Sequence, residues 1–337
     1  MANGQSWATT ETLAQTGTRY DLRPLSTGEV LDRTFQLYRS RFALFASLAA
    51  LPATVSLVAG VVQIFTMQGE KVFKSGQSVA VTTHLWASGI TSIVAGLISF
   101  AFYGITQAAT TWAVSEIYLG NPAVLSTAWK SATAHWFRYI LVVLRQYWSI
   151  FWLPAIAIGC AFGIFLIPGI RNGGRDLGVV AIVGFVLFGV GGLASIYAVY
   201  AALRVALAIP ASVIESLGPN AAVRRSMALL TERKVRIFLL WLLIVAISTV
   251  AVVVISPLNM IAVRAQGAER YILQMGTLAA SFLSQLVTGP VAAIALCLFY
   301  FDERVRREGF DIEFLMLRSN GVNPAPATEG PASPEPS

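Results

Sequence analysis

Charged residues along the chain are separated by six long stretches that contain none, at 42–69, 75–115, 146–170, 177–203, 237–263 and 271–301. A helix that crosses the hydrocarbon core of a bilayer needs about 20 mostly apolar residues, and every stretch is longer than that. Runs such as VVAIVGFVLFGVGG are continuously apolar, whereas the strands of a membrane barrel alternate over segments of about ten residues. The longest stretch opens on polar SGQSVAVTTH, which predicts one span from about Leu85 rather than two. The pattern therefore predicts an all-α, polytopic bundle with spans at about 42–66, 85–113, 146–169, 178–203, 237–262 and 272–301.

Between the spans a second pattern recurs. Each pair of spans is preceded by a segment in which apolar and charged residues alternate at helical spacing, at about 26–41, 121–143 and 219–236, and a fourth such segment follows at about 302–318. In the first, Val30, Leu31, Phe35, Tyr38 and Phe42 are expected on one face, with Glu29, Asp32, Arg33, Gln36 and Arg39 opposite. Ser26 followed by Glu29 predicts a capping box at its start. Asn121-Pro122 and Gly218-Pro219-Asn220 have the cap and first-turn proline expected of the second and third helix starts. Leu51-Pro52-Ala53 and Leu153-Pro154-Ala155 occupy comparable places in the first and third spans. The chain thus reads as three units of amphipathic helix, span, outer loop, span. Amphipathic helices of this kind lie in the headgroup layer or dock on the floor of the bundle.

Composition and charge add orientation. The chain has 337 residues, of which 56% are hydrophobic and only 12% charged, with a mean hydropathy of +0.67. A soluble domain carries about 25% charged residues, so a soluble enzyme is excluded. An even number of spans puts both termini on one side, and 18 of the 24 Lys and Arg fall on that side. The positive-inside bias makes it the cytoplasmic side and predicts a multi-pass protein of a plasma membrane. Residues 1–22 and the Pro-rich 319–337 are expected to be disordered cytoplasmic tails flanking a membrane domain at 23–318; Met1 to Thr18 lacks the apolar core of a signal peptide. The net charge of +7 is dispersed along the inner face. It favours anionic lipid headgroups as neighbours and calls for no nucleic acid. Cys160 and Cys297 fall within spans and read as small packing residues.

Three runs resemble a known family: GEVLDRTFQLYRSRF, ALRVALAIPASVIESLGPNAAVRRSMALL and LFYFDERVRREGFDIEFL. They look like the bacterial membrane proteins grouped with the glycerophosphoryl diester phosphodiesterase membrane domain, and the resemblance covers roughly residues 20–318. Its most specific part is the run of Tyr300, Phe301, Asp302, Arg304, Arg306, Glu308, Gly309, Phe310 and Asp311. The resemblance implies about six spans with both termini inside a bacterial cell. It implies no hydrolase activity, because the phosphodiesterase domain fused in some members has no counterpart in this sequence.

Candidate chemistry is sparse. Hydrolysis needs a nucleophile with a base, or metal ligands converging on a water, but His84 and His135 are expected on opposite sides of the membrane. Zinc, redox and nucleophile-elbow motifs are missing, so no catalytic residue, metal site or cofactor is assigned. Intramembrane or rim polar groups are the remaining candidates: Gln107, Glu116, Arg145, Tyr147, Tyr200, Arg204 and Glu215. Arg145 is either an interfacial arginine beside Tyr147, Trp148 and Trp152, or a buried one that needs an acidic partner. Tyr200 and Arg204 share a helix face, and Pro210 should break the helix before Glu215. Pairing of Glu116 or Glu215 with Arg145 or Arg204 at the rim is one expectation. The charged run Asp302–Glu308 is expected to be a self-paired, solvated helix extension, with Ile312, Phe314, Leu315 and Leu317 folding back onto the membrane surface or the floor of the bundle. Three roles follow: a non-catalytic module that organises lipids or a protein partner, a small-solute or lipid permease, and a lipid-modifying enzyme.

Overall fold

The computed structural model describes residues 25–72, 78–165, 177–231 and 234–309. Its described elements are all helical: α1 (Thr27–Ser40), α2 (Phe42–Val72), α3 (Ser78–Tyr118), α4 (Leu125–Ala134), α5 (Trp136–Phe165), α6 (Leu177–Val205), α7 (Ala208–Ile214), α8 (Pro219–Leu229), α9 (Lys234–Arg264) and α10 (Gly267–Glu308). Six segments are long and apolar enough to cross a membrane: Phe42–Phe65, Gly89–Tyr118, Trp136–Ala157, Gly184–Ile214, Val235–Arg264 and Gly267–Glu308. The protein is a multi-pass, all-α membrane protein. The expected tails, the fold-back from Ile312 to Leu317, and the outer-loop charges Lys74, Arg171 and Arg175 lie outside the described residues, as do the side chains of His84 and Cys160.

The threefold unit is visible in the packing. The two spans of each unit lie against one another, α2 on α3, α5 on α6 and α9 on α10, and α10 also packs along α2 and α3. The short helices α1, α4, α7 and α8 gather at one end, here called the floor, with Leu25 and Gly309. The tight core is at that end. Phe45, Leu48, Ala109, Val142, Leu207, Leu240, Ile294 and Phe299 are all buried there, whereas Phe185, Val253 and Ile272, farther along the spans, are exposed. Apolar surface in that outer half has lipid as its solvent and gains nothing from being hidden from water. Close approach there uses glycine. A Cβ on Gly60 of α2 would collide with the Leu278 side chain of α10.

Local chemistry accounts for the floor helices. The Ser26 capping box is present, with the Glu29 N–H donating to Ser26 Oγ at 3.2 Å and the Ser26 N–H donating to Glu29 Oε2 at 2.7 Å. The buried face of α1 differs from the expected one. Val30, Thr34, Leu37 and Tyr38 point inward, while Phe35 and Phe42 are 45% and 49% exposed. The Thr34 hydroxyl donates to the Val30 carbonyl at 2.7 Å, which lets a polar residue occupy the inner face, and two phenylalanines are left to face outward. The second floor helix begins at Leu125 with Val124 as its cap, not at Asn121. The break before the third span falls at His135, earlier than the charge-free window indicates, because α5 includes Arg138 and Arg145. At about 45 Å, the 30 residues of α5 outreach the hydrocarbon core, so its charged first turns need not enter it.

The α6–α7 break sits just ahead of Pro210, which occupies the first turn of α7, where a missing N–H costs nothing. Groups freed at the break are satisfied by side chains from elsewhere. Buried Ser226 of α8 accepts from the Leu207 N–H at 3.1 Å and donates to the Arg204 carbonyl at 2.9 Å. Gln146 of α5 donates to the Val205 carbonyl at 3.0 Å.

Candidate functional site

The charged end of α10 is not a solvated extension. Asp302 and Glu303 are 1% and 0% exposed, and they form the hub of the floor. Arg236 of α9 reaches Asp302 Oδ2 at 2.8 Å and Glu303 Oε1 at 3.0 Å, with its guanidinium 5.4 Å from the Phe299 ring centroid. The Leu25 N–H donates to Asp302 Oδ1 at 2.6 Å, and the Leu25 carbonyl accepts from Arg236 and Arg306 at 2.8 and 2.7 Å. The chain entering α1 is thereby clamped to the end of α10, 277 residues away. Some self-pairing does occur, Arg306 with Asp302 at 3.1 Å and Arg304 with Glu308 at 3.1 Å. The same groups also bind other helices, because burial leaves no water to satisfy them.

Glu215 belongs to an adjoining network. It accepts two hydrogen bonds from Arg225 Nε at 3.0 Å and one from Arg225 Nη2 at 2.9 Å, a short one from the Tyr300 hydroxyl, and lies 3.7 Å from Arg304. Arg225 also reaches Glu308 at 2.5 Å. Burial works against the charge on Arg225, but the Glu215 and Glu308 carboxylates hold its pKa above the usual arginine value. Asp302, Glu303, Glu215 and Glu308 thus face Arg236, Arg306, Arg307, Arg225 and Arg304, a nearly neutral lattice whose charges are committed to one another.

The other sequence candidates separate into three places. Glu116 ends α3: its carboxylate accepts from Asn121 Nδ2 at 2.8 Å and its carbonyl from the Asn121 N–H at 2.9 Å. Asn121 therefore closes the preceding helix and does not open the following one. Gln107 and Tyr147 line a partly open cavity of about 210 Å³ with Tyr103, Gln146, Trp241 and Leu296, among α3, α5, α6, α7, α9 and α10. Buried Cys297 is a packing residue whose thiol lies 3.6 Å from the Thr111 carbonyl.

Arg145, Tyr200 and Arg204 come together in a cleft of about 250 Å³ between α5 and α6, with Trp148, Trp152 and Tyr197 in its walls. Neither expected carboxylate reaches it. Half-buried Arg145 donates from Nε to Asn220 Oδ1 of α8 at 3.1 Å and from Nη1 to Ser149 Oγ at 2.8 Å. Arg204 lies over the Tyr200 ring at 5.5 Å and has Met227 Sδ of α8 at 3.5 Å from Nη2. Trp152 Nε1–H donates to the Tyr197 hydroxyl at 2.5 Å, which donates to the Ser149 carbonyl at 3.3 Å. The aromatic run and the Tyr200–Arg204 spacing are visible in the sequence. Asn220, Ser149 and Met227 carry no such signal, since their part depends on where α8 docks.

Fold and site together define a polytopic helix-bundle membrane protein with an ion-paired floor and an arginine- and aromatic-lined cleft at its rim. Among the described residues no cluster of three or more His, Cys, Asp or Glu could hold a metal ion. Comparison of the chain with protein-family models, with curated proteins and with solved structures yields no match.

Proposed function

We propose that this chain is a non-catalytic module of a bacterial plasma membrane, with both termini in the cytoplasm, that binds and organises lipids or a protein partner. The observation that carries this reading is the division of charge at the floor. The carboxylates of Asp302, Glu303, Glu215 and Glu308 are held by arginines of the same network, while among the described residues Arg145 and Arg204 meet only neutral partners at an aromatic rim. Carboxylates locked in ion pairs hold the floor rigid, and cations without carboxylate partners are available to something outside the chain. The outward-facing Phe35 on α1 and Phe42 at the start of α2 suit a floor helix resting in the headgroup layer. The resemblance to the phosphodiesterase membrane domain, carried by the Tyr300–Asp311 run, fits a membrane module that serves other components.

Purification from native membranes in lipid-preserving particles, followed by native mass spectrometry, tests the reading. Bound lipids or a stoichiometric protein partner are expected. Time-dependent accumulation of a solute in proteoliposomes would overturn it in favour of a permease. That second reading has one specific observation behind it, the mostly apolar cavity among the spans into which Tyr103, Gln107, Gln146 and Tyr147 bring polar groups, since a transport path requires polar groups among the spans. Substituting Gln107 by Leu should leave lipid retention unchanged on the first reading and impair uptake on the second.

A further inference from the structure

We propose that the cleft between α5 and α6 is a binding site for the phosphate headgroup of an anionic phospholipid, with Arg145 and Arg204 as the phosphate ligands. This rests on the lipid-binding reading above and assigns it a place and a chemistry. Both arginines line one cleft, and among the described residues neither has a carboxylate partner. Arg204 has a thioether sulfur as its hydrogen-bonding neighbour, a weak acceptor. Arg145 uses two of its donors on an amide and a hydroxyl. Two like charges in one cleft repel unless an anion lies between them, and arginine forks match phosphate oxygens geometrically. A third cation is close by. Exposed Arg224 sits on α8 one turn beyond Asn220 and one turn before Met227, the two residues that meet Arg145 and Arg204.

The order of residues along the two helices commits the occupant to a lipid. α5 runs away from the floor and α6 runs towards it, so the cleft can be read outward along both. Arg145 and Arg204 come first, then Trp148, Trp152, Tyr200 and Tyr197. One turn farther out stand Ile156 and Leu193, which are 55% and 71% exposed. Cation, amphipathic ring, then bare apolar surface is the sequence in which a phospholipid presents phosphate, glycerol esters and acyl chain. Trp and Tyr favour the depth of the ester groups. A cleft of about 250 Å³ suits a headgroup and is below the usual size of a pocket that engulfs a whole small molecule. A site for free phosphate would need neither the aromatic walls nor the apolar continuation.

The test uses the full chain in nanodiscs of phosphatidylcholine with or without phosphatidylglycerol. Retention of each lipid is read by native mass spectrometry, and tryptophan quenching by each lipid brominated on its acyl chain. Wild type should retain phosphatidylglycerol over phosphatidylcholine and be quenched more by the brominated anionic lipid. Arg145→Gln with Arg204→Gln should weaken that preference by about tenfold or more, as expected for two arginines at an anionic surface. Arg145→Lys with Arg204→Lys should retain part of it and shows that the fold tolerates change at both positions. Arg39→Gln with Arg41→Gln, elsewhere on the floor, should leave it unaltered. Unchanged preference in the Gln variant overturns the site. So does competition by inorganic phosphate at equal quenching from the two brominated lipids, which would make it a soluble-phosphate site. If wild type still retains lipids or a partner in either case, only this site falls. If wild type retains neither and accumulates solute, the broader reading falls with it.

Discussion

Arg236 shows how much a single side chain can be asked to hold. It compensates two fully buried carboxylates, Asp302 and Glu303, and a backbone carbonyl at Leu25. Bringing these charges out of water is expensive, and mutual attraction offsets the cost only while every partner is present. Arg236→Ala should therefore destabilise the protein by about 3–5 kcal/mol, read as a large fall in the thermal midpoint in detergent or nanodiscs, whereas Arg39→Ala, exposed in the last turn of α1, should cost about 1 kcal/mol or less. Equal effects would mean that the hub is not the keystone of the floor. At the same scale, the sequence supplied the identity of almost every candidate but few of its partners. Glu116 meets Asn121, Glu215 meets Arg225 and Tyr300, and Arg145 meets Asn220; among these, only the Glu116–Asn121 pair is close in the sequence. The Ser26–Glu29 box and the Tyr200–Arg204 stack were legible because both lie within one turn of helix.

Among the elements, the six spans were legible from the placement of charges, because an apolar, charge-free stretch long enough to cross a bilayer is rarely anything but a span. Ends and faces were less so. The break ahead of Pro210 followed from proline chemistry, but its repair by Ser226 depends on α8 lying beneath it. Ser226→Ala leaves the Leu207 N–H and the Arg204 carbonyl without that partner in a buried place, a loss of about 1–3 kcal/mol. Hydrogen exchange should quicken at Leu207 before it changes in α2 or α10; uniform exchange would show that the break needs no such support. In the outer half α2 and α10 come close at Gly60. A Cβ there meets only the end of the flexible Leu278 side chain, which can swing aside, and alanine favours the helix, so Gly60→Ala should change stability by about 1 kcal/mol or less. A large fall in the thermal midpoint, recovered by adding Leu278→Ala, would show instead that Leu278 is held in place. The end of α10 illustrates a further device, since Gly309 takes the left-handed conformation at φ 62° that terminates a helix at little cost for glycine.

For the whole molecule, the proposed orientation has a direct test. In a background lacking Cys160 and Cys297, a cysteine at Ser40 on the floor should react with an impermeant maleimide only from the cytoplasmic side. One at Gln266, between α9 and α10, should react only from the opposite side. Both residues are exposed, so reaction of both from one side would overturn the six-span topology. Because tight packing is concentrated at the floor, unfolding by heat should release α1 and the α10 end together, as one cooperative unit.

The number of spans, the class of fold, the threefold repeat and the bias of basic residues to one side can all be read from the chain alone. These are local or one-dimensional properties: a bilayer reads hydropathy along the chain, and charge cannot be hidden inside twenty or so apolar residues. Which charges are buried, and which cations are left to meet something else, emerges only once the helices have packed. A run such as Asp302–Glu308 carries the same pattern whether it is bathed in water or closed over by Leu25 and Arg236. The difference lies in which distant helices arrive beside it, and that is set by packing of the whole bundle.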